Sequence, residues 1–361
     1  MNHFYTLKVA KIQKVTGEAV KITFEIPSSI QDKFKFKQGQ YLNLKFNFGE
    51  EEFRRSYSII DAPSENSQTL SILVKQMENG TISTFLNQNL KENDEVEVQQ
   101  PMGNFCTNYH ASNHKNYVGI AAGSGISPVL SNLKEALFQE PNAKVLLFFG
   151  NKNSQNILLK EELDALKERF PERFQVTHVL SREPQEDALF EGRITTEKLG
   201  QLLDKNFEIK PEDSTFFICG PTEMIKSTSD FLKKVRKVPA LQVLYEYFSA
   251  PDDEDNAEMS EEFKKIPNLE SFVTLIIDDD EYSIHLNSKK ESILDKALKE
   301  NLPVPFACKG GVCCTCKAQV MEGEVFMEKN FALTEDEVAR GFVLTCQCHP
   351  TTNIVMLNYD V

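Results

Sequence analysis

Several things are missing from this sequence. No apolar run approaches the length of a membrane span. The first residues, Met1-Asn-His-Phe-Tyr-Thr-Leu-Lys, lack the apolar core of a secretion signal. Both absences predict a cytoplasmic chain with no membrane partner. Positive charge is in short supply: 40 Lys and Arg face 54 Asp and Glu, a net charge of −14. That balance argues against nucleic acid, whose phosphates call for a basic surface. It suits a soluble electron carrier steered towards a basic docking surface, or serves solubility alone. There are no internal repeats, and low complexity is confined to one acidic stretch. What is present is ordinary globular material, 361 residues and 40% hydrophobic, enough for two or three domains.

Eight cysteines stand in this composition. In a reducing compartment they point to metal or redox chemistry rather than disulfides. Four have a telling arrangement. Cys308, Cys313 and Cys316 follow a C-x4-C-x2-C pattern, and Cys346 comes later from a separate segment. This is the ligand spacing of a plant-type [2Fe–2S] loop. A structural zinc site usually pairs two short hooks, whereas here one dense hook is joined by a lone thiol. Gly310 and Gly311 allow the backbone to fold close to sulfide and aim amides at sulfur. Cys314 and Cys348 exceed the four ligands needed and read as packing residues. Cys348 is the substitute ligand if the register is displaced.

Residues 1–110 read as a small antiparallel β-barrel. Strand-like alternation recurs at Tyr5–Ile12, Val20–Ile26, Tyr41–Phe46, Leu70–Val74 and Asp94–Val98. Arg55, Tyr57 and Ser58 lie on one strand and can meet a phosphate, a flat ring and a polar ring edge. Gly80-Thr81-Ile82-Ser83 resembles a helix start suited to pyrophosphate. Arg55 alone could equally be a surface charge, and Tyr57 a core aromatic.

Residues 111–248 alternate strands with helices, which implies a parallel sheet with ligands at the strands' carboxyl ends. Strand Asn116–Ala122 runs into Gly123-Ser124-Gly125-Ile-Ser127-Pro128 and then a helix over Val129–Leu137. Ser127 is the expected cap and Pro128 fits the first turn. The loop lacks the third glycine of a full dinucleotide fingerprint. The next strand, Val145–Phe149, lacks the terminal acid that would hold a ribose hydroxyl. Instead, Ser181 and Arg182 follow strand Gln175–Leu180, where a hydroxyl and a guanidinium suit the 2′-phosphate of NADPH; a solvated turn is the plainer possibility. Strand Thr215–Cys219 leads to Gly220, Pro221 and a helix from Glu223. A helix is also expected over Leu158–Phe170.

Residues 249–267 form an acidic linker without apolar periodicity. Residues 268–361 form an α+β unit. It has a hairpin around Asp278–Glu281, a helix over Ser292–Glu300, the cysteine loop, a strand from Lys317 to Val325, and a capping box at Thr334–Glu337.

With these segments in place, the chain resembles the ferredoxin–NADP reductase family fused to a plant-type ferredoxin domain of β-grasp fold. The resemblance extends essentially end to end. It implies that Arg55 binds the FAD pyrophosphate, Tyr57 stacks on the isoalloxazine and Ser58 lies near the reactive nitrogen. Val74 and Lys75 add flavin contacts, and Gly80, Thr81, Ile82 and Ser83 hold pyrophosphate. Gly123, Ser124, Gly125 and Pro128 form the nucleotide loop. Cys219, Gly220 and Pro221 place Cys219 beside the nicotinamide, so Tyr57, Ser58 and Cys219 are the expected catalytic residues. Glu246 matches the segment that ends the reductase part. Ser181 and Arg182 favour NADPH over NADH. Cys308, Cys313, Cys316 and Cys346 are the implied cluster ligands. The implied activity is electron transfer from NADPH through FAD to [2Fe–2S] and on to an oxygenase, with a diiron hydroxylase acting on an aromatic CoA thioester as the expected partner. A Rieske dioxygenase, a desaturase or a hybrid-cluster protein would serve as alternative acceptors. An iron–sulfur redox-sensing binding protein is the reading from another class, and it leaves the flavin and nucleotide motifs unused.

Overall fold

A computed structural model describes residues 3–65, 68–205, 210, 213–250 and 261–360. The chain divides into two compact units: residues 5–53 with 57–247, and residues 248–361 with 1–4 and 54–56.

The larger unit begins with six strands, β1 (Phe4–Thr16), β2 (Ala19–Glu25), β3 (Tyr41–Phe48), β4 (Glu51–Ser58), β5 (Thr69–Lys75) and β6 (Glu95–Gln99). They form one sheet in the order β4-β3-β6-β1-β2-β5. An antiparallel bridge from Ile59, just past β4, to Ile72 of β5 links the two ends of that order. The expected barrel is closed at that bridge. Alternation sends Leu7, Val9, Val20, Ile22, Phe24, Ile72 and Val74 into its core. Helix α1 (Thr81–Gln88) follows β5, and Gly80 is its cap.

Five parallel strands come next: β7 (Asn116–Ala122), β8 (Lys144–Asn151), β9 (Phe174–Leu180), β10 (Ser214–Cys219) and β11 (Val243–Glu246). Their order is β11-β10-β7-β8-β9. Strand order reverses between β7 and β10, so a crevice opens at their carboxyl ends. Helices α2 (Ile126–Gln139), α3 (Lys160–Arg169), α4 (Thr196–Lys205) and α5 (Thr222–Asp230) complete this layer. Two expectations need correction. Helix α2 starts at Ile126 and is capped by Gly125, so Ser127 lies inside the first turn and caps nothing. Helix α3 starts later than Leu158 because Leu159 adopts a left-handed φ of 55°.

Helix α2 is stitched to the barrel along its length. Ser131 Oγ donates to Asp61 O at 2.6 Å and accepts from Gly39 N at 3.2 Å. Asn132 Nδ2 donates to Phe105 O at 2.8 Å. The almost fully buried Lys134 bonds Ile60 O at 3.3 Å and Glu65 at 3.1 Å, and pairs with Glu162 of α3. Glu162 also meets Lys21 of β2 at 3.1 Å. A buried ammonium needs this many partners to remain charged.

The smaller unit contains β12 (Glu270–Ile277), β13 (Asp280–Asn287), α6 (Ile293–Lys299), β14 (Lys317–Glu322), β15 (Val325–Met327), α7 (Glu335–Ala339), β16 (Phe342–Leu344), β17 (Cys348–Pro350) and β18 (Ile354–Asn358). One sheet has the order β13-β12-β18-β14-β16, with β12 and β18 parallel, while β15 and β17 pair separately. This is the β-grasp arrangement, with its own apolar core beneath α6. The strand expected to reach Val325 breaks at Gly323, whose φ is 79°. Thr334 and Glu337 make the expected capping box. Of the expected linker, residues 251–260 lie outside the described residues. Its later part is packed against this unit: the Phe263 ring lies 4.6 Å from His349, edge to face. Among the described residues, no helix is long and apolar enough to cross a membrane.

Candidate functional site

Strand β4 carries Arg55, Tyr57 and Ser58. Residues two apart on a strand share a face, so Arg55 and Tyr57 point the same way. Arg55 Nη1 donates to Arg54 O at 2.7 Å, and Tyr57 packs on the barrel core. Val74 is fully buried, so only its backbone can face a ligand, while Lys75 is half-buried. At the head of α1, Ser83 Oγ accepts from Met77 N at 3.0 Å and donates to Gly80 O at 3.4 Å. The hydroxyl therefore fixes the loop, and the first amides of α1, including those of Thr81 and Ile82, have no intrahelical acceptor. A Cβ on Gly80 would fall 2.5 Å from Ser83 Oγ.

The crevice between β7 and β10 requires close approach of backbone to backbone. A Cβ on Gly125 would sit 2.2 Å from Cys219 O, and one on Gly220 would sit 3.1 Å from Ala122 N. Gly123 has a φ of +55° and open space around it. Pro128 falls in the first turn of α2, beside Ser127, whose buried Oγ has no hydrogen-bond partner. Pro221 caps α5. Both loops thus offer helix N-termini at the carboxyl edge of the sheet, where an anion is favoured.

Next to these loops, Ser58 Oγ donates to Glu246 Oε2 at 3.4 Å. Burial pushes the Glu246 carboxyl up to about 8, against the opposing effect of the Ser58 bond. Cys219 is fully buried, and burial together with the Glu246 charge raises its thiol well above the usual range. A hydroxyl, a thiol and a neutral carboxyl meet here, from β4, β10 and β11.

Further along the edge, Ser181 N and Oγ both donate to Asn151 O, at 2.9 and 3.3 Å. Arg182 N donates to Lys152 O at 2.7 Å. The ends of β8 and β9 are knitted together, and the side chain of Lys152 reaches Glu18 at 3.1 Å.

In the smaller unit the four expected thiols converge in two pairs. Cys308 and Cys313 sulfurs are 3.0 Å apart, and Cys316 hydrogen-bonds Cys346. The Cys313 thiol and the amides of Gly310, Val312 and Cys313 hold Cys308 down at about 6. Gln347 Nε2 approaches Cys346 Sγ at 3.5 Å. Gly311 has a φ of +72°, and a Cβ there would crowd Lys329 O at 3.1 Å. Among the described residues no three His, Cys, Asp or Glu side chains converge on one ion position. Two pairs of thiols with amides aimed at sulfur fit a two-iron cluster, whose ligands are shared between its metals. Cys348 is fully buried, with Sγ on Leu344 O at 3.2 Å, and Cys314 Sγ contacts Ala332 O at 3.5 Å; both are packing thiols.

Three family models match along the chain: an oxidoreductase FAD-binding domain at residues 6–107, an oxidoreductase NAD-binding domain at 120–230, and a 2Fe-2S iron–sulfur cluster binding domain at 275–351. One component of the 1,2-phenylacetyl-CoA epoxidase from Escherichia coli is 37% identical over 100% of this chain and 99% of its own length. The chain belongs to the ferredoxin–NADP reductase family, in the form fused to a plant-type ferredoxin domain. The ferredoxin reductase component of 3-ketosteroid-9-alpha-monooxygenase from Rhodococcus rhodochrous is 28% identical over 98% of this reductase and 96% of that protein. Among solved structures, phthalate dioxygenase reductase aligns with a TM-score of 0.59 at 21% identity, covering 99% of this chain and 98% of that one. An intact self-sufficient cytochrome P450 monooxygenase aligns with a TM-score of 0.71 at 18% identity, covering 98% of this chain and 41% of that one. Both share its fold. The reductase carries electrons from a pyridine nucleotide through FAD to a [2Fe–2S] cluster.

Two paired residues at this strand edge escaped the sequence reading. Lys152 follows β8 directly and was legible as a cation at a carboxyl end. Glu18 belongs to the turn between β1 and β2 and had no local signal; packing of the barrel against the parallel sheet brings it to Lys152.

Proposed function

We propose that this reductase serves a diiron oxygenase that epoxidises phenylacetyl-CoA, taking its electrons from NADPH in the cytoplasm. The observation that supports the partner is the 37% identity to the epoxidase component over both full lengths. Its modules are the flavin barrel at 1–110, the nucleotide domain at 111–248, the linking stretch at 249–267 and the cluster domain at 268–361. Arg55 and the amides at Gly80–Ser83 hold the FAD pyrophosphate. Tyr57 covers one ring face, Ser58 lies at its edge, and Val74 and Lys75 complete the rim. Gly123, Ser124, Gly125 and Pro128 seat the nucleotide pyrophosphate, and Cys219, Gly220 and Pro221 position the nicotinamide. Ser181 and Arg182 bind the 2′-phosphate. Cys308, Cys313, Cys316 and Cys346 hold the cluster. The flavin supplies the exchange between a two-electron hydride and single electrons. The protein's own residues orient the two rings, exclude water and keep a proton on Glu246 at neutral pH beside Ser58.

The test is reconstitution. The purified reductase, candidate diiron proteins and phenylacetyl-CoA are mixed with NADPH, and epoxide is followed by mass spectrometry. Epoxide that depends on this chain supports the partner. Product only with a Rieske or desaturase component, and none with the diiron proteins, refutes it.

A further inference from the structure

Lys152 pairs with one carboxylate, Glu18, at the edge where β8 and β9 end, with Lys75 opposite Ala19 on β2 and Arg182 N bonded to Lys152 O. Glu18 accepts from Lys152 at 3.1 Å, and both side chains are half-exposed. Its position is fixed by backbone bonds: Glu18 N donates to Thr16 Oγ1 at 3.3 Å and Gln76 N donates to Glu18 O at 2.7 Å. The neighbouring acid, Glu183, is turned away, with Oε2 accepting from Ser154 N and Oγ, both at 2.8 Å. Glu18 is therefore the carboxylate that engages Lys152 here. The electrostatics agree. The Lys152 hydrogen bond and charge, then the charges of Lys75 and Arg182, hold Glu18 below the usual carboxylate range. Burial, then the charges of Lys152 and Arg182, lower Lys75.

A dinucleotide bearing a 2′-phosphate brings nearly two negative charges to this edge, whereas one lacking it brings none there. We propose that Glu18 is a specificity-determining residue, an internal anion that occupies Lys152 and narrows the preference for NADPH over NADH. The inference rests on the assignment of the 2′-phosphate to Ser181 and Arg182. Exposed ion pairs are weak and break readily, so Glu18 tunes rather than blocks. The phosphate competes with Glu18 for Lys152. This is a barrel residue acting on a ligand of the neighbouring sheet.

The experiment uses the full-length, FAD-loaded protein. Binding of 2′,5′-ADP and of 5′-AMP is measured by calorimetry, and ferricyanide reduction is measured with each nucleotide at low and high salt. For Glu18→Gln, affinity for 2′,5′-ADP rises roughly three- to tenfold, fading with salt. The KM for NADPH falls by a similar factor at constant kcat. Constants for 5′-AMP and NADH change less than about twofold by the same reasoning. In a Lys152→Met background the Glu18→Gln change becomes silent. Equal gains with both ligands, no gain, or a gain that survives in Lys152→Met overturns the proposal. Arg182→Ala separates the two readings. If it leaves 2′,5′-ADP binding unchanged, the phosphate assignment itself is wrong. If it weakens that binding while Glu18→Gln does nothing, only the role of Glu18 fails.

Discussion

Replacing Glu246 by Gln should make the protein more stable at neutral pH, by an amount that grows with pH. Burial raises this carboxyl from 4.5 to about 8. An acid whose folded pKa exceeds its unfolded one holds its proton more tightly when folded. Stability therefore falls as pH rises from about 4.5 to about 8 and is level on either side. Each unit corresponds to about 1.4 kcal/mol, so the loss at pH 7 is about 3 kcal/mol and above pH 8 about 5 kcal/mol. Glu246 retains some exposed surface, which makes both figures upper bounds. Gln still accepts the Ser58 hydrogen bond and never ionises. The chain has no tryptophan, so urea unfolding is best followed by far-ultraviolet circular dichroism from pH 5 to pH 8. Wild type and Glu246→Gln should nearly coincide at pH 5 and separate steadily above it. A gap that is constant with pH would refute the reasoning, because a gain from packing alone has no such slope. The stabilised variant should also turn over more slowly, since functional sites often hold destabilising groups.

Cys346→Ser should remove the visible absorbance of the cluster and the cluster-dependent reduction of cytochrome c, while ferricyanide reduction at the flavin persists; loss of both would contradict two separable redox units. Gly125→Ala would place a methyl 2.2 Å from Cys219 O. It should raise the nucleotide KM about tenfold or more with flavin content unchanged. Lys134→Met strands Glu162 and Glu65 without their shared cation. It should cost about 3–5 kcal/mol in urea unfolding, and adding Glu162→Gln should recover part of that loss.

The sequence revealed most where function demands contiguous residues. The cysteine loop was legible from spacing, while the glycine loop before α2 and the strand carrying Arg55 to Ser58 drew their expected roles from the family resemblance. Strand alternation in the barrel and continuous apolar runs in β7, β8 and β10 marked the two sheet types for the same reason. Boundaries failed where a single backbone angle decides them, as at Leu159 and Gly323. The Ser127 cap failed because the short turn over Gly123–Gly125 starts the helix before the serine. Glu18 and the partners of Lys134 were hidden for a deeper reason. A surface turn with one acid, or a lysine on a helix, carries no sign of the element that folding will set against it. Glu246 was visible only as the end of a segment; its bond to Ser58 joins positions far apart in the chain.

Lys134, Ser131 and Asn132 also decide how this protein can be taken apart and recombined. Lys134 and Ser131 bond the helix that follows the glycine loop to the backbone after the Tyr57 strand, and Asn132 bonds it to Phe105 O after β6. A chimera cut between barrel and parallel sheet would expose a buried ammonium and orphan several carbonyls at once. The cluster domain holds an apolar core of its own. Recombination, natural or engineered, must therefore inherit the barrel and the parallel sheet together.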